Sequence, residues 1–166
     1  MKSNDFLVKR RNAMTCAKKL NTYLANLALW NVKLHSLHWN VTGHYFKPLH
    51  EMTESLYDNV FEAYDSVAEV LKMKGEMPLS TMSEYLSAAT LLEAPAKDFS
   101  AHEVVAMIEE DMKHMNELAL EIRKDAVQSD DFEVQAMFEG FIAGFSKQLW
   151  FIRAMKTRHE CGCHSH

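Results

Sequence analysis

The chain has 166 residues, 48% of them hydrophobic, which suffices for one domain with a sizeable core and does not require two. Its formal net charge of −5 argues against a surface built throughout for nucleic acid, so any such contact must come from a local basic patch. Its three cysteines, Cys16, Cys161 and Cys163, lack the spacing of a disulfide framework, and no stretch has the form of a signal peptide or membrane span. We therefore expect a soluble cytoplasmic protein without membrane contacts.

The chain begins with a polar, basic segment, residues 1–12, which we interpret as an N-terminal tail or as the first turn of a helix. A helix, A, follows, because apolar positions recur in steps of three and four up to Val41. Two polar residues, Asn31 and His38, occupy core positions of this stripe. Gly43 is placed to end the helix in a left-handed conformation.

Helix B is predicted over residues 48–74, with Pro48 in a favoured early position and Gly75 beyond its end. An apolar ridge runs along it from Leu49 to Leu71 at helical spacing. The segment between Gly75 and Ser100 breaks this pattern. It contains one short predicted helix, capped by Ser80 or Thr81 with Glu84 as the reciprocal partner.

Ser100 and Glu103 form a capping-box signature that starts helix C, which we expect to run to about residue 127. Helix D is predicted from Phe132 to about residue 158. Four long helices with one long middle connection indicate an all-α, ferritin-like four-helix bundle with a short extra helix in the crossover between helices B and C. The predicted division is a basic tail (1–12), the bundle (13–158) and a Cys/His-rich C-terminal tail (159–166).

Helix B carries four residues of the types that bind transition metals. They project within an arc of roughly 100° on one face, beside the apolar ridge. These residues are His50, Glu54, Asp65 and Glu69. His50 and Glu69 are about 28 Å apart along the helix axis, so one ion cannot contact both. Imidazole together with carboxylate suits iron, manganese or zinc better than calcium.

Two other interpretations stay open for these residues. A histidine on an apolar stripe, such as His38, is often a hydrogen-bonded core residue, and the polar face of helix B is equally compatible with ordinary solvated charges. A di-iron site inside one bundle requires Glu-x-x-His pairs that this chain lacks. Asp111 and His114 are the nearest remnant of such a pair, with an exposed helix face as the alternative.

His50 and Glu69 are too far apart on one helix B to share an ion, but two copies of the helix that pack antiparallel about a twofold axis would bring such residues together. His50 and Glu54 of one chain then come level with Asp65 and Glu69 of the other, and symmetry makes two equivalent sites. His38, near the end of helix A, can supply a further nitrogen. The sequence thus predicts a metal site shared between subunits.

At these positions the chain resembles the Dps family, the mini-ferritins called DNA-binding proteins from starved cells. The resemblance covers most of the chain and is carried by the segment from His38 to Gly43, by a second set of residues on and before helix B, by the crossover, and by two residues in the last helix. The second set is Phe46, Leu49, His50, Glu54, Asp65 and Glu69. The crossover and last-helix residues are Pro78, Leu79, Ser80, Thr81, Met82, Tyr85, Leu86, Lys147 and Trp150.

This resemblance implies a homo-dodecameric hollow shell that oxidises iron(II), preferentially with hydrogen peroxide and otherwise with dioxygen, and stores ferric mineral, protecting the cell against oxidative damage. It places the ferroxidase centres at twofold interfaces, with zinc or another divalent metal able to take the same site. The implied ligands are His38, His50 and Glu54 of one subunit and Asp65 and Glu69 of the other. The family commonly has Asp where this chain has Glu54, which bears on occupancy of the weaker iron site.

Three further regions carry predictions. Trp39, adjacent to His38, is a radical trap or an interface hydrophobe. Acidic residues at the turn into helix D are candidates for an iron-entry pore or, alternatively, capping and solvating residues: Asp125, Asp130, Asp131 and Glu133. In the C-terminal tail, five residues are candidate metal ligands: His159, Cys161, Cys163, His164 and His166.

DNA is a second candidate partner and would make the protein nucleoid-associated. The N-terminus carries a modest set of basic residues: Lys2, Lys9, Arg10, Arg11, Lys18 and Lys19. Repetition over twelve copies adds avidity to weak, salt-dependent phosphate contacts, whereas the net charge opposes them.

Overall fold

A computed structural model of the chain describes the backbone of residues 2–156 and the side chains of residues 16–156. Within these residues the elements are, in chain order, α1 (Lys2–Asn40), β1 (Val41–Thr42), α2 (Phe46–Met73), α3 (Met82–Ala88), β2 (Phe99–Ser100), α4 (Ala101–Gln128) and α5 (Phe132–Lys156). Helix α1 packs mainly against α2, α4 packs against α5, and α1 also contacts α4. The predicted four-helix bundle is confirmed, with α3 as the extra helix in the crossover.

The apolar stripes predicted for the long helices meet in one core. Leu24, Leu34, Val67, Ile108 and Ile152 are fully buried in it, each from a stripe read in steps of three and four. Helix α1 begins at Lys2, within the segment for which the sequence left a tail and a first helical turn open. Residues 2–15 contain neither glycine nor proline, so nothing local ends the helix within them.

The helix ends follow local chemistry. Gly75 has φ +76° after α2, its N–H donates to the Lys72 carbonyl, and the next N–H, of Glu76, donates to the Leu71 carbonyl. These two bonds satisfy carbonyls that the helix leaves unpaired. Gly43, with φ +94°, occupies the left-handed position predicted for it in the turn between α1 and α2.

Both predicted capping boxes are present. Thr81, rather than Ser80, caps α3 reciprocally with Glu84, and Ser100 caps α4 reciprocally with Glu103. A hydrogen bond from Lys97, together with those from Ser100, lowers the pKa of Glu103 to about 2. The carboxylate therefore remains charged, and the cap intact, well below neutral pH.

A short parallel bridge between β1 and β2 was not predicted. It pairs Val41 with Phe99 and Thr42 with Ser100, joining the end of α1 to the start of α4. Val41 and Phe99 are each 1% exposed. The bridge holds the α1–α2 turn against the bundle, beside the position where His38 and His50 meet.

Candidate metal centre

His38 and His50 lie at a helix end and a helix start that the turn folds together. His38 is in the last turn of α1 and His50 is in the first turns of α2. His38 Nδ1 lies 2.8 Å from the His50 carbonyl oxygen, and His50 Nδ1 lies 2.9 Å from the His38 carbonyl oxygen. Each imidazole is thus oriented by the backbone of the other residue.

These bonds decide which nitrogen of each ring can bind a metal. A carbonyl oxygen only accepts, so Nδ1 of each ring carries a hydrogen and donates it. In the neutral imidazole, Nε2 then keeps its lone pair, the arrangement that metal-binding histidines adopt. The Thr53 hydroxyl lies 3.2 Å from His38 Nδ1 and gives this ring a second contact on the same side. The pair therefore offers two oriented nitrogen ligands.

The stacking of the rings indicates how many ions they can hold. Their centroids are 3.6 Å apart and their planes are inclined by 18°. An imidazole binds a metal in its own plane at about 2.0–2.1 Å, so one ion midway between the rings would lie roughly 60° out of each plane. Such an ion is poorly bound by both. The stack therefore favours a separate ion for each histidine over one ion shared between them.

The carboxylates complete no site within one subunit. Glu54 lies one turn after His50 and is exposed, as are Asp65 and Glu69 farther along α2. Among the side chains of residues 16–156, no three His, Cys, Asp or Glu residues come together as a metal-binding group. The structure brings His38 to His50 and leaves Asp65 and Glu69 on the same helix, away from them. In the described part of one chain, the histidine pair and the carboxylates Asp65 and Glu69 therefore lie at separate positions.

Two residues beside the histidine pair were not identified from the sequence. The His35 ring stacks on Tyr57 at 3.9 Å, and Tyr57 meets the His38 ring edge-on at 5.3 Å. His35 Nδ1 also donates to a backbone carbonyl, that of Asn31. Trp39 is 67% exposed and lies 5.5 Å from His35, which leaves both of its predicted roles open. The signal for Tyr57 in the sequence was its place at the edge of the face of α2 that carries His50 and Glu54.

The centre of the bundle holds an ion pair where a conventional di-iron protein holds metal ligands. Lys33 Nζ donates to Asp111 Oδ1 at 2.8 Å, and the two residues are 8% and 3% exposed. Burial raises the pKa of the Asp111 carboxyl, and the bond from Lys33 opposes that shift. His114 instead contacts the Thr90 hydroxyl at 2.7 Å. Asp111 is buried, so the alternative that it lies on an exposed helix face is wrong. Asp111 and His114 contact different partners and do not form a common site.

Replacing Lys33 by methionine is expected to lower the free energy of unfolding by about 3–5 kcal/mol, because Asp111 becomes a buried charge without a partner. Thermal unfolding measures the effect. Lys18→Met, at an exposed position of the same helix, is the control, and adding Asp111→Leu to Lys33→Met is expected to recover most of the loss. An unchanged melting temperature in Lys33→Met would contradict this role.

The acidic residues before α5 have local partners. Asp125 pairs with Lys19 at 2.6 Å and Asp131 pairs with Lys74 at 2.7 Å. Asp131 also accepts from the Val134 N–H at the start of α5, and Asp130 takes the left-handed position with φ +56°. Glu133 lies 3.7 Å from Lys74. These contacts give the group a capping and pairing role within the subunit, and the pore remains a prediction.

The C-terminal candidate ligands lie outside the described residues, as do the side chains of the basic N-terminal segment up to residue 15. Their predicted roles are untested by the structure. In the part of the chain that is described, no helix combines the length and apolar character needed to cross a membrane.

Comparison with known proteins shows which family this fold belongs to. A family model described as a ferritin-like domain matches residues 17–160. The DNA protection during starvation protein of Listeria innocua is 32% identical over 151 residues, which cover 89% of this chain and 95% of that protein. The crystal structure of a Dps protein from Bacillus brevis superposes with a TM-score of 0.85 at 31% identity, covering 89% of this chain and 98% of that chain. A structure of Listeria innocua Dps soaked with zinc has a TM-score of 0.81 at 30% identity, covering 84% and 94%.

The family model spans most of the chain, and the relatives match it over nearly their whole length. The bundle and the crossover helix agree with the resemblance drawn from the sequence. This chain is a member of the Dps family of ferritin-like proteins.

Proposed function

We propose that two subunits of this protein share a ferroxidase centre that oxidises iron(II) with hydrogen peroxide, or dioxygen, and delivers ferric iron for storage. Dps proteins store iron, and membership of the ferritin-like family supports an oxidoreductase activity of the ferroxidase type. The observation that carries the proposal is the reciprocal hydrogen bonding of His38 and His50, which leaves an Nε2 lone pair on each of two nearly parallel rings.

The remaining ligands come from a second subunit. A twofold axis near the middle of α2 brings His50 level with the partner subunit's Glu69, and Glu54 level with the partner subunit's Asp65. Phe61 lies close to this axis on the same face and is 62% exposed in the single chain. Burial of such a side chain favours the pairing. Each interface then contains two equivalent centres with imidazole and carboxylate ligands.

The chemistry follows from the number of ions. Peroxide accepts one electron from each of two iron(II) ions and, with two protons, leaves as two waters, so no hydroxyl radical is released. Two histidines with nearly parallel rings would each hold one of the two ions. The carboxylates neutralise the charge of the oxidised ions, and Glu54, longer than the family's usual Asp, tunes the occupancy of the second position.

The assembly we propose is a dodecamer with the mineral inside, located in the cytoplasm. Zinc, which was soaked into crystals of Listeria innocua Dps, is a practical probe because it does not change oxidation state. Crystals of this protein soaked with zinc or iron(II) are expected to show anomalous peaks between His38 and His50 of one subunit and Asp65 and Glu69 of another. Metal bound at Asp111 in place of this interface would overturn the proposal.

DNA binding stays a prediction, motivated by the basic N-terminus and by the name of the Listeria relative. Deleting residues 1–11 is expected to abolish any shift of DNA in a gel, and raising the salt concentration is expected to weaken the shift in the intact protein. Absence of a shift with the intact protein at low salt would dismiss this activity, leaving iron oxidation unaffected.

A further inference from the structure

We propose that Tyr57 is a positioning residue of the metal centre, holding the imidazole of His38 in the plane in which its Nε2 meets the metal. This inference rests on the proposed function. It assigns a role to a side chain that is not itself among the predicted ligands.

Tyr57 is held from helix α1 on two sides. Its ring stacks on His35 with centroids 3.9 Å apart and planes inclined by 21°. Its backbone carbonyl accepts from Asn31 Nδ2 at 3.0 Å. A ring that is held by a stacking contact and by a hydrogen bond to its backbone moves little. It can therefore restrict the motion of another side chain packed against it.

That neighbour is His38. The Tyr57 ring approaches the His38 ring at 5.3 Å with the planes at 86°, while His50 stacks on His38 at 3.6 Å. The polar contacts of His38 are both at Nδ1, so hydrogen bonding alone leaves the ring free to rock about that atom. Contacts with His50 and the perpendicular Tyr57 ring restrict this motion. Their combination fixes the direction of the Nε2 lone pair.

Binding of cobalt(II) to the intact assembly tests the proposal, because the visible spectrum of cobalt reports its ligand geometry. Tyr57→Leu is expected to weaken cobalt binding about tenfold and to broaden the spectrum, since loss of a supporting contact typically costs 10–100-fold in metal affinity. Tyr57→Phe keeps the ring and is expected to bind within about twofold of the unaltered protein. Equal affinity in Tyr57→Leu, or equal losses in the Leu and Phe variants, would overturn the role of the ring.

Phe145→Leu is the matched control, because Phe145 is a half-buried aromatic residue on α5 whose ring lies against Trp30, outside the proposed centre. If Tyr57→Leu fails to fold or assemble, His35 provides a second route to the same question. His35→Phe preserves a flat ring against Tyr57 and is expected to bind cobalt normally, whereas His35→Ala is expected to weaken binding a few-fold. Normal binding in His35→Ala, or equal loss in both His35 variants, would contradict the proposal.

The failure of this inference is distinguishable from failure of the proposed function. Full cobalt affinity after His38→Ala would refute the proposed metal centre itself. Loss of affinity in His38→Ala together with normal affinity in Tyr57→Leu would refute only the positioning role of Tyr57.

Discussion

Replacing both His38 and His50 by alanine is expected to lower the initial rate of peroxide-driven iron(II) oxidation by at least about 100-fold. The substitution removes both nitrogen ligands of the proposed centre, which should cost more than the 10–100-fold typical of a supporting residue. The two rings bond each other's backbone, so their loss also removes a local contact between α1 and α2. The rate is measured by the absorbance of ferric iron after mixing, and shell size is checked by light scattering.

The control for this substitution is His114→Ala. His114 is a half-buried histidine on α4 that contacts Thr90, and it has no place in the proposed centre. The His114 variant is expected to oxidise iron at the rate of the unaltered protein. Fast oxidation in an assembled His38→Ala/His50→Ala shell would exclude the histidine pair as the site of the reaction.

Combining two inactive variants is expected to restore activity if the centre lies between subunits. One parent carries His38→Ala with His50→Ala, and the other carries Asp65→Asn with Glu69→Gln. In a mixed pair, one centre receives both sets of changes and the other receives neither. Random pairing makes half of the interfaces mixed, so about one quarter of the centres regain every ligand.

The measurement compares the iron oxidation rate of shells assembled from an equal mixture of the two variants with the rate of each variant alone. Mixing already assembled shells, without subunit exchange, is the control and is expected to give no recovery. A co-assembled sample that stays as inactive as its parents would place all the ligands within one subunit or on another interface.

Much of the fold was predictable because its signals are local. The capping boxes at Thr81 and Ser100 depend on side chains three residues apart, and the left-handed Gly43 depends on a single residue. The four long helices follow from apolar residues at helical spacing. The β1–β2 bridge was missed because two-residue strands show no periodicity. The start of α1 was left open between a tail and a helical turn, because residues 2–12 are mostly polar and basic and show no clear apolar stripe.

The candidate centre was predictable as a set of residue types and only partly as geometry. The face of α2 with His50, Glu54, Asp65 and Glu69 could be derived from helical spacing, and the distance between its ends indicated a shared site. The ambiguity of His38 between a core residue and a ligand could not be resolved in this way. The structure shows that it has features of both, because it is 7% exposed and yet leaves Nε2 free of hydrogen bonds among the described residues.

The sequence by itself determined the helices, the chemical character of the ligands and their common face, because each depends on residues a few positions apart in one helix. Only the tertiary structure decided the orientation of the His38 and His50 rings, the contact of Tyr57 with His38, and the Lys33–Asp111 pair in the bundle centre. These contacts join different helices, and their geometry depends on how the helices cross and where the turns place them. Hydrophobic periodicity specifies which face of a helix is buried, but not which side chain of another helix it meets.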